Sequence, residues 1–302
     1  MIAKVSSGTV AGIDGYGVDV EVDLASGLPS FSIVGLPDAA VRESRERVTA
    51  ALRNCGFKLP LKRITVNLAP AGMRKEGAAF DLPIALGILL ASGQTVARRR
   101  VRTLFMGELA LDGGLNKVRG GLPVACYARH AGFERVVVPV ENGSETSLVP
   151  DIEVMTCDKL QDVVALLEDR PCAERSSVGG TGIASGTGRS GEGARAPRDD
   201  RSPPVREWLA GLDYAEVAGQ YTAKRGFQIA AAGGHHILMT GPPGSGKTML
   251  ARRLPGILPP LDDEEMLECA KISSVIGGSG GMAGRERPFR APHHSASDAG
   301  LI

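Results

Sequence analysis

The chain lacks an excess of charge of either sign: 35 Lys and Arg stand against 34 Asp and Glu, a net +1 over 302 residues. No strong long-range field therefore points to a nucleic-acid partner. It also lacks any apolar run near the ~20 residues that span a bilayer; one of the longest is 82–91. The opening Met1-Ile2-Ala3-Lys4-Val5 has no signal-peptide design, so export is not expected. Cysteines are few and scattered: Cys55, Cys126, Cys157, Cys172 and Cys269 form no close pair. That excludes a disulfide framework and a zinc ribbon, and fits a reducing cytoplasm. Aromatic residues are sparse as well, with seven Phe, four Tyr and one Trp. What is abundant is glycine, 40 residues in all and unevenly placed. The 43% apolar and 23% charged composition is that of a globular protein, and about 100–200 residues per domain predicts two domains.

The dividing segment is 171–206. Its 36 positions hold seven Gly, five Ser and four Pro, and only Val178, Ile183 and Val205 are large and apolar. Such a stretch buries too little surface to offset the ordering of its backbone, so it reads as a tether. Its six Arg against four acids leave a weak nucleic-acid arm as the alternative. The predicted domains are thus 1–170 and 207–302.

Strand and helix signals alternate through 1–170. Val18, Val20, Val22 and Leu24 recur with period two, and 31–34, 64–68 and 135–139 read as further strands. Asp38 caps a helix running to Asn54, with Val41, Val48 and Leu52 as its apolar stripe. Arg42/Glu46 and Glu43/Arg47 pair opposite charges at i, i+4 on its wet face, and Gly56 ends it. Asp81 and Pro83 open an apolar helix over 82–91, and further helices are predicted over 120–131 and 159–168. The unit is mixed α/β.

Two segments, VNLAPAGMRKEGAAFDLPIALGILLAS (66–92) and MGELALDGGLNKVRGGLPVACYARHAGFERVVVPVEN (106–142), resemble the proteolytic domain of Lon-type proteases. That family's KDGPSAG and GGLK motifs carry a nucleophilic serine and a lysine base. Here the matching stretches place Ala79 at the serine position and Pro123 at the lysine position. A methyl and a pyrrolidine ring supply neither nucleophile nor base, so no peptidase activity is expected. Lys75, Glu76 and Asp81 remain charged in that loop. They read either as a surface for another subunit or as a solvated turn with Asp81 as a helix cap.

In the second unit, Gly241-Pro242-Pro243-Gly244-Ser245-Gly246-Lys247-Thr248 fits G-x-x-x-x-G-K-[ST]. The apolar run 237–240 is predicted as a buried strand before it, and 248–254 as a helix after it, ended by Pro255 and Gly256. Strand, glycine loop and helix together cradle phosphates: glycines let backbone N–H groups approach, and the helix start adds partial positive charge. Lys247 is placed to reach β- and γ-phosphates, and the Thr248 hydroxyl to ligate Mg²⁺.

The segment 213–277, with RPFRAPHHSASDAGLI at 287–302, resembles magnesium-chelatase-like AAA+ ATPases, most closely their ComM/YifB branch. That resemblance implies a Lon-protease-like α+β N-terminal domain followed by part of an AAA+ P-loop α/β domain. It implies ATP and Mg²⁺ as cofactors, Val217, Gly219 and Gln220 near the adenine, and Met249 beside the phosphate loop. A helix-preceding cap is the other reading of 217–220, with the helix predicted over 222–232. His293 and His294 are adjacent, and adjacent side chains in extended chain face opposite ways, so a shared metal is not expected. The glycine-rich 277–284 reads as a loop, and 262–265 (Asp-Asp-Glu-Glu) as a helix-starting cluster rather than a magnesium-binding acidic strand.

The resemblance places such a motor's acidic strand, sensors and arginine finger downstream of Ile302, so the chain is expected to be a fragment. It is expected to bind ATP without turning it over. For the intact family member, the resemblance implies a hexameric, cytoplasmic, ATP-driven helicase that branch-migrates DNA in natural transformation, with no membrane partner. The alternatives are a chelatase-type ATPase subunit, which a Lon-like domain argues against, and a non-hydrolysing ATP-binding or interaction protein.

Overall fold

The computed structural model describes residues 1–98, 101–170, 212–277, 285 and 287–292, and the backbone of 176–178. The chain divides into two compact units, Met1–Arg189 with Leu267–Gly281, and Ser190–Met266 with Met282–Ile302. Of the predicted tether, only Ser176–Val178 lies within the described residues, where its backbone adds an edge strand. The 277–284 loop beyond Gly277, and both His293 and His294, lie outside them.

Every strand among the described residues belongs to the first unit. Its main sheet has eight strands: β1 (Ile2–Ala11), β2 (Asp14–Ala25), β3 (Ser30–Val34), β4 (Arg63–Ala69), β5 (Thr103–Phe105), β8 (Arg135–Pro139), β9 (Glu153–Cys157) and β10 (Ser176–Val178). Their order is β10-β9-β8-β5-β1-β2-β4-β3. The sheet is mixed: β2 runs antiparallel to both its neighbours β1 and β4, whereas β5, β8 and β9 are mutually parallel. A small hairpin pairs β6 (Glu108–Leu109) with β7 (Leu115–Asn116).

Sequence pattern explains which face each strand buries. On β2, Val18, Val20, Val22 and Leu24 all turn into one core while the alternate residues stay partly exposed. On β8 the run Val136-Val137-Val138 is buried without a break, Val137 in one core and its neighbours in the other. A strand so placed is covered on both faces. The first core takes α1 (Ala39–Asn54), α2 (Asp81–Ala91) and α5 (Leu160–Leu167); the second takes α3 (Gly121–His130) beside the short α4 (Gly143–Thr146). Asp38 caps α1 as its sequence predicts, accepting from the Val41 N–H at 2.7 Å, and Val41, Val48 and Leu52 are fully buried. α2 is buried nearly all round, as an apolar helix with no polar face must be.

Three charge assignments differ from expectation. Arg47 does not simply lie on a wet face opposite Glu43, which is 3.8 Å away. It reaches across to α2, where Nε donates to Asp81 Oδ2 at 2.6 Å and Nη2 to Oδ1 at 3.0 Å. Asp81 is therefore no exposed cap: its side chain has no solvent exposure and also accepts the Leu109 N–H. Glu46 pairs with its neighbour Arg45, not with Arg42. Lys75 is not a solvated turn residue either. It is completely buried, and its ammonium donates to the Pro70 and Met73 carbonyls while its backbone pairs with Leu36 and Asp38. The solvated reading holds for Glu76, which is exposed beside Arg74.

The second unit holds α6 (Tyr221–Gly233), α7 (Lys247–Arg253) and the start of α8 (Asp263–Val275). The predicted strand over 237–240 does not form: the segment has no regular secondary structure, Leu238 is 90% exposed, and no strand of this unit is present among the described residues to pair with it. A buried strand needs neighbours to take its backbone hydrogen bonds. The acidic cluster does start a helix. Asp262 accepts from the Glu265 N–H and Glu265 from the Asp262 N–H, a reciprocal cap. Arg287 then grips Glu265 through two nitrogens at 3.0 and 2.8 Å.

Candidate functional site

The glycine loop 241–248 sits on a small apolar base. Val217, Phe227 and Leu250 form its buried centre, with Tyr214, Met239, Leu254 and Ile257 packed around them. The Tyr214 and Phe227 rings lie 5.7 Å apart, and the Tyr214 hydroxyl donates to the Leu250 carbonyl at 2.7 Å. Burial pushes the Tyr214 phenol up to about 12. This anchors 213–220 against α7, the helix that leaves the loop.

Gly244 and Gly246 carry the loop through positive φ, 78° and 85°. Side-chain-bearing residues rarely adopt that conformation, which is why glycine is needed at these two turns. Gly246 then opens α7 directly into Lys247. The Lys247 ammonium folds back into the loop, donating to the Gly241 and Pro242 carbonyls at 2.8 and 2.7 Å and to Ser245 Oγ at 3.2 Å. A cation is thus held at the centre of a ring of backbone, with Thr248 and Met249 following on the exposed side of the helix start. Pro242 and Pro243 are exposed and stiffen the first turn. The loop fits a phosphate chain: its glycines leave the backbone approachable, and its lysine contacts only neutral oxygens.

Val217 and Gln220 play different parts. Val217 is 4% exposed and belongs to the base under the loop. Its carbonyl accepts the Lys224 ammonium. Gln220, in a left-handed conformation at φ 55°, is exposed and its side-chain amide donates to the Ser245 carbonyl at 3.4 Å. The structure thus brings Gln220 to the glycine loop itself, a contact that spacing of 25 residues does not reveal. Arg253 on α7 completes the anchor, bonding the Asp213 carbonyl and Glu216.

The two positions matched to a protease dyad carry no such chemistry. Ala79 is half-buried, and its carbonyl receives the Gly107 N–H at 3.0 Å. Pro123 is buried in the first turn of α3, its carbonyl 2.2 Å from where a Cβ on Gly15 would stand. Among the described residues no group of three or more His, Cys, Asp or Glu could hold a metal ion, and no helix is long and apolar enough to cross a membrane.

Comparison with known proteins covers both units. A family model described as subunit ChlI of Mg-chelatase matches residues 20–142, and a second, described as magnesium chelatase, subunit ChlI, matches 213–302. Competence protein ComM of Haemophilus influenzae is 41% identical over 305 residues, covering all of this chain and 55% of that protein. The protein YifB of Salmonella typhimurium is 40% identical over 302 residues, again all of this chain and 55% of the relative. Lon protease 2 of Bacillus subtilis is 24% identical over 191 residues, 56% of this chain and 34% of that protease, and such protease matches fall in the N-terminal region. The chain spans a little over half the length of the ComM and YifB relatives.

Proposed function

The chain belongs to the magnesium-chelatase-like family that includes the ComM and YifB proteins, and from that premise we propose that its second unit binds ATP with Mg²⁺ at the loop 241–248. The observation that carries this reading is the Lys247 ammonium held inside a glycine loop by three neutral oxygens and no carboxylate. A phosphate chain offers that cation a stronger, charge-assisted partner than the carbonyls it now contacts. Lys247 and the loop's backbone N–H groups hold the phosphates, the Thr248 hydroxyl serves the magnesium ion, and Gln220, Val217 and Met249 flank the nucleotide. Bound ATP supplies a γ-phosphate whose transfer to water powers motors of this kind.

In this reading 1–170 is a Lon-protease-like domain without its serine–lysine dyad, 171–206 is a tether, and 207–302 is the first part of an AAA+ module. ATP turnover, hexamer formation and ATP-driven branch migration of DNA belong to the protein at its relatives' full length. The ComM relative's name as a competence protein supports a DNA role. A chelatase-type ATPase is the second reading, favoured by a ChlI model that matches the N-terminal unit too.

The test is thermal. A ligand at a hundred times its dissociation constant stabilises the folded state by about 2.7 kcal/mol. MgATP should raise the melting temperature of the wild-type chain and raise that of Lys247→Ala markedly less; an equal shift in both removes the loop from the site. For the DNA role, the full-length protein should bind DNA only with ATP present and as an oligomer, with affinity falling steeply as salt rises; salt-insensitive or ATP-independent binding contradicts it.

A further inference from the structure

A cavity lies in the first unit, in elements that the glycine loop does not involve. β1 and β5 are neighbours in the sheet but share a single register pair, Ser6 with Leu104. Residues of both strands, Lys4, Val5 and Ser6 of β1 with Thr103 and Phe105 of β5, line a cavity of about 270 Å³. That is just under the roughly 300–1,000 Å³ of typical small-ligand sites. Its floor is apolar: Leu86 and Leu90 of α2, Leu166 and Leu167 of α5, and Phe105 of β5. Its rim carries Lys4, Arg102 and Arg135, and among the described residues no carboxylate lines it.

The three cations are not equivalent. Lys4 is paired with Asp19 at 2.9 Å and Arg135 with Glu153 at 2.7 Å. The Arg102 guanidinium pairs with no carboxylate among the described residues, although the backbone N–H of Arg102 donates to Glu134 Oε1 at 3.2 Å. Its Nη1 donates to the Gly132 carbonyl at 3.1 Å, and its guanidinium lies 4.9 Å from the centre of the Phe133 ring. The ring and the carbonyl hold the guanidinium in place at the rim without neutralising it. Arg98, on the same side, donates its backbone N–H to the Leu167 carbonyl and so ties the rim to α5.

We propose that this opening binds a small amphipathic anion, a carboxylate carried on a medium-length apolar chain. The chain lies on the leucines of α2 and α5, and the carboxylate meets Arg102. The site is independent of the nucleotide loop, so it stands or falls separately from the ATP reading.

The test uses the full chain and three probes: octanoate, 1-octanol and inorganic phosphate. Octanoate should bind with saturating shifts of the Leu86 and Leu90 methyl resonances. 1-Octanol, which has the apolar chain without the charge, should bind about tenfold more weakly, and phosphate should leave those methyls unmoved. Arg102 is exposed, so Arg102→Gln should fold; it should weaken octanoate about tenfold and leave 1-octanol unchanged. Arg74→Gln, on another surface, should change neither. Equal binding of octanoate and 1-octanol, unaltered octanoate binding in Arg102→Gln, or absence of any methyl shift overturns the proposal.

Discussion

Replacing Arg47 with methionine tests how the first unit is held together. Asp81 lies at the start of α2 with no solvent exposure, and Arg47 supplies two of its hydrogen bonds, at 2.6 and 3.0 Å. Without that arginine the carboxylate keeps the Leu109 N–H at 3.2 Å and the Ser44 hydroxyl. Removing one partner of a buried ion pair costs about 3–5 kcal/mol. The reverse change, Asp81→Asn, should cost less, about 1–3 kcal/mol. Arg47 is 21% exposed, so it retains access to water, and it also keeps the Ala40 carbonyl and the Ser44 hydroxyl. The loss in Arg47→Met should also depend on pH in one direction. Burial holds the Asp81 carboxyl above its usual range while Arg47 opposes that rise; without Arg47 it rises further. A carboxyl raised in the folded state favours folding at low pH, and that benefit is lost as pH climbs through the raised value. The deficit against wild type should therefore be smallest near pH 4 and grow toward pH 7.5. Urea unfolding followed by circular dichroism at the two pH values reads it. A larger loss in Asp81→Asn than in Arg47→Met, or a deficit that does not change with pH, refutes the reasoning.

Three further outcomes are expected. In alkaline titration at 295 nm, one of the four tyrosines should ionise near 12, and Tyr214→Phe should delete that component; the stability from its O–H bond to Leu250 should be intact below pH 10 and lost as pH rises through 12. Gly15→Ala would place a Cβ 2.2 Å from the Pro123 carbonyl oxygen, a backbone atom that cannot swing aside, and should cost about 3 kcal/mol, lowering the melting temperature by roughly 6–12 °C. The purified chain should leave casein intact, since Ala79 and Pro123 offer no nucleophile and no base; degradation that changes with substitutions at either position would contradict this.

Local patterns in the sequence carried over well where the deciding interaction is itself local. The Asp38 cap, the Val41/Val48/Leu52 stripe, the alternation along β2 and the reciprocal cap at Asp262 and Glu265 all involve residues within about three helical turns or one strand. What sequence spacing concealed depends on distant chain. Glu43 is the natural i, i+4 partner of Arg47, yet the carboxylate that holds it lies 34 residues away. Lys75 reads as solvated in a charged turn, but the carbonyls of Pro70 and Met73 take its ammonium and let it be buried without a counter-charge. The apolar run 237–240 has the composition of a buried strand, and composition says nothing of whether a partner strand is there to pair. Within the candidate site, the glycine loop and its lysine were legible as a motif because their chemistry needs a fixed spacing. Gln220 was legible only through the family resemblance, as a residue near the adenine, and its contact with Ser245 not at all, because no spacing rule links them.

The account rests on Lys247 as the phosphate-binding cation of the second unit. Isothermal titration of the wild-type chain and of Lys247→Ala with MgATP tests it most directly. Saturable binding at one site, weakened about 10–100-fold in the variant, is predicted; no binding by wild type, or equal binding by both, contradicts it.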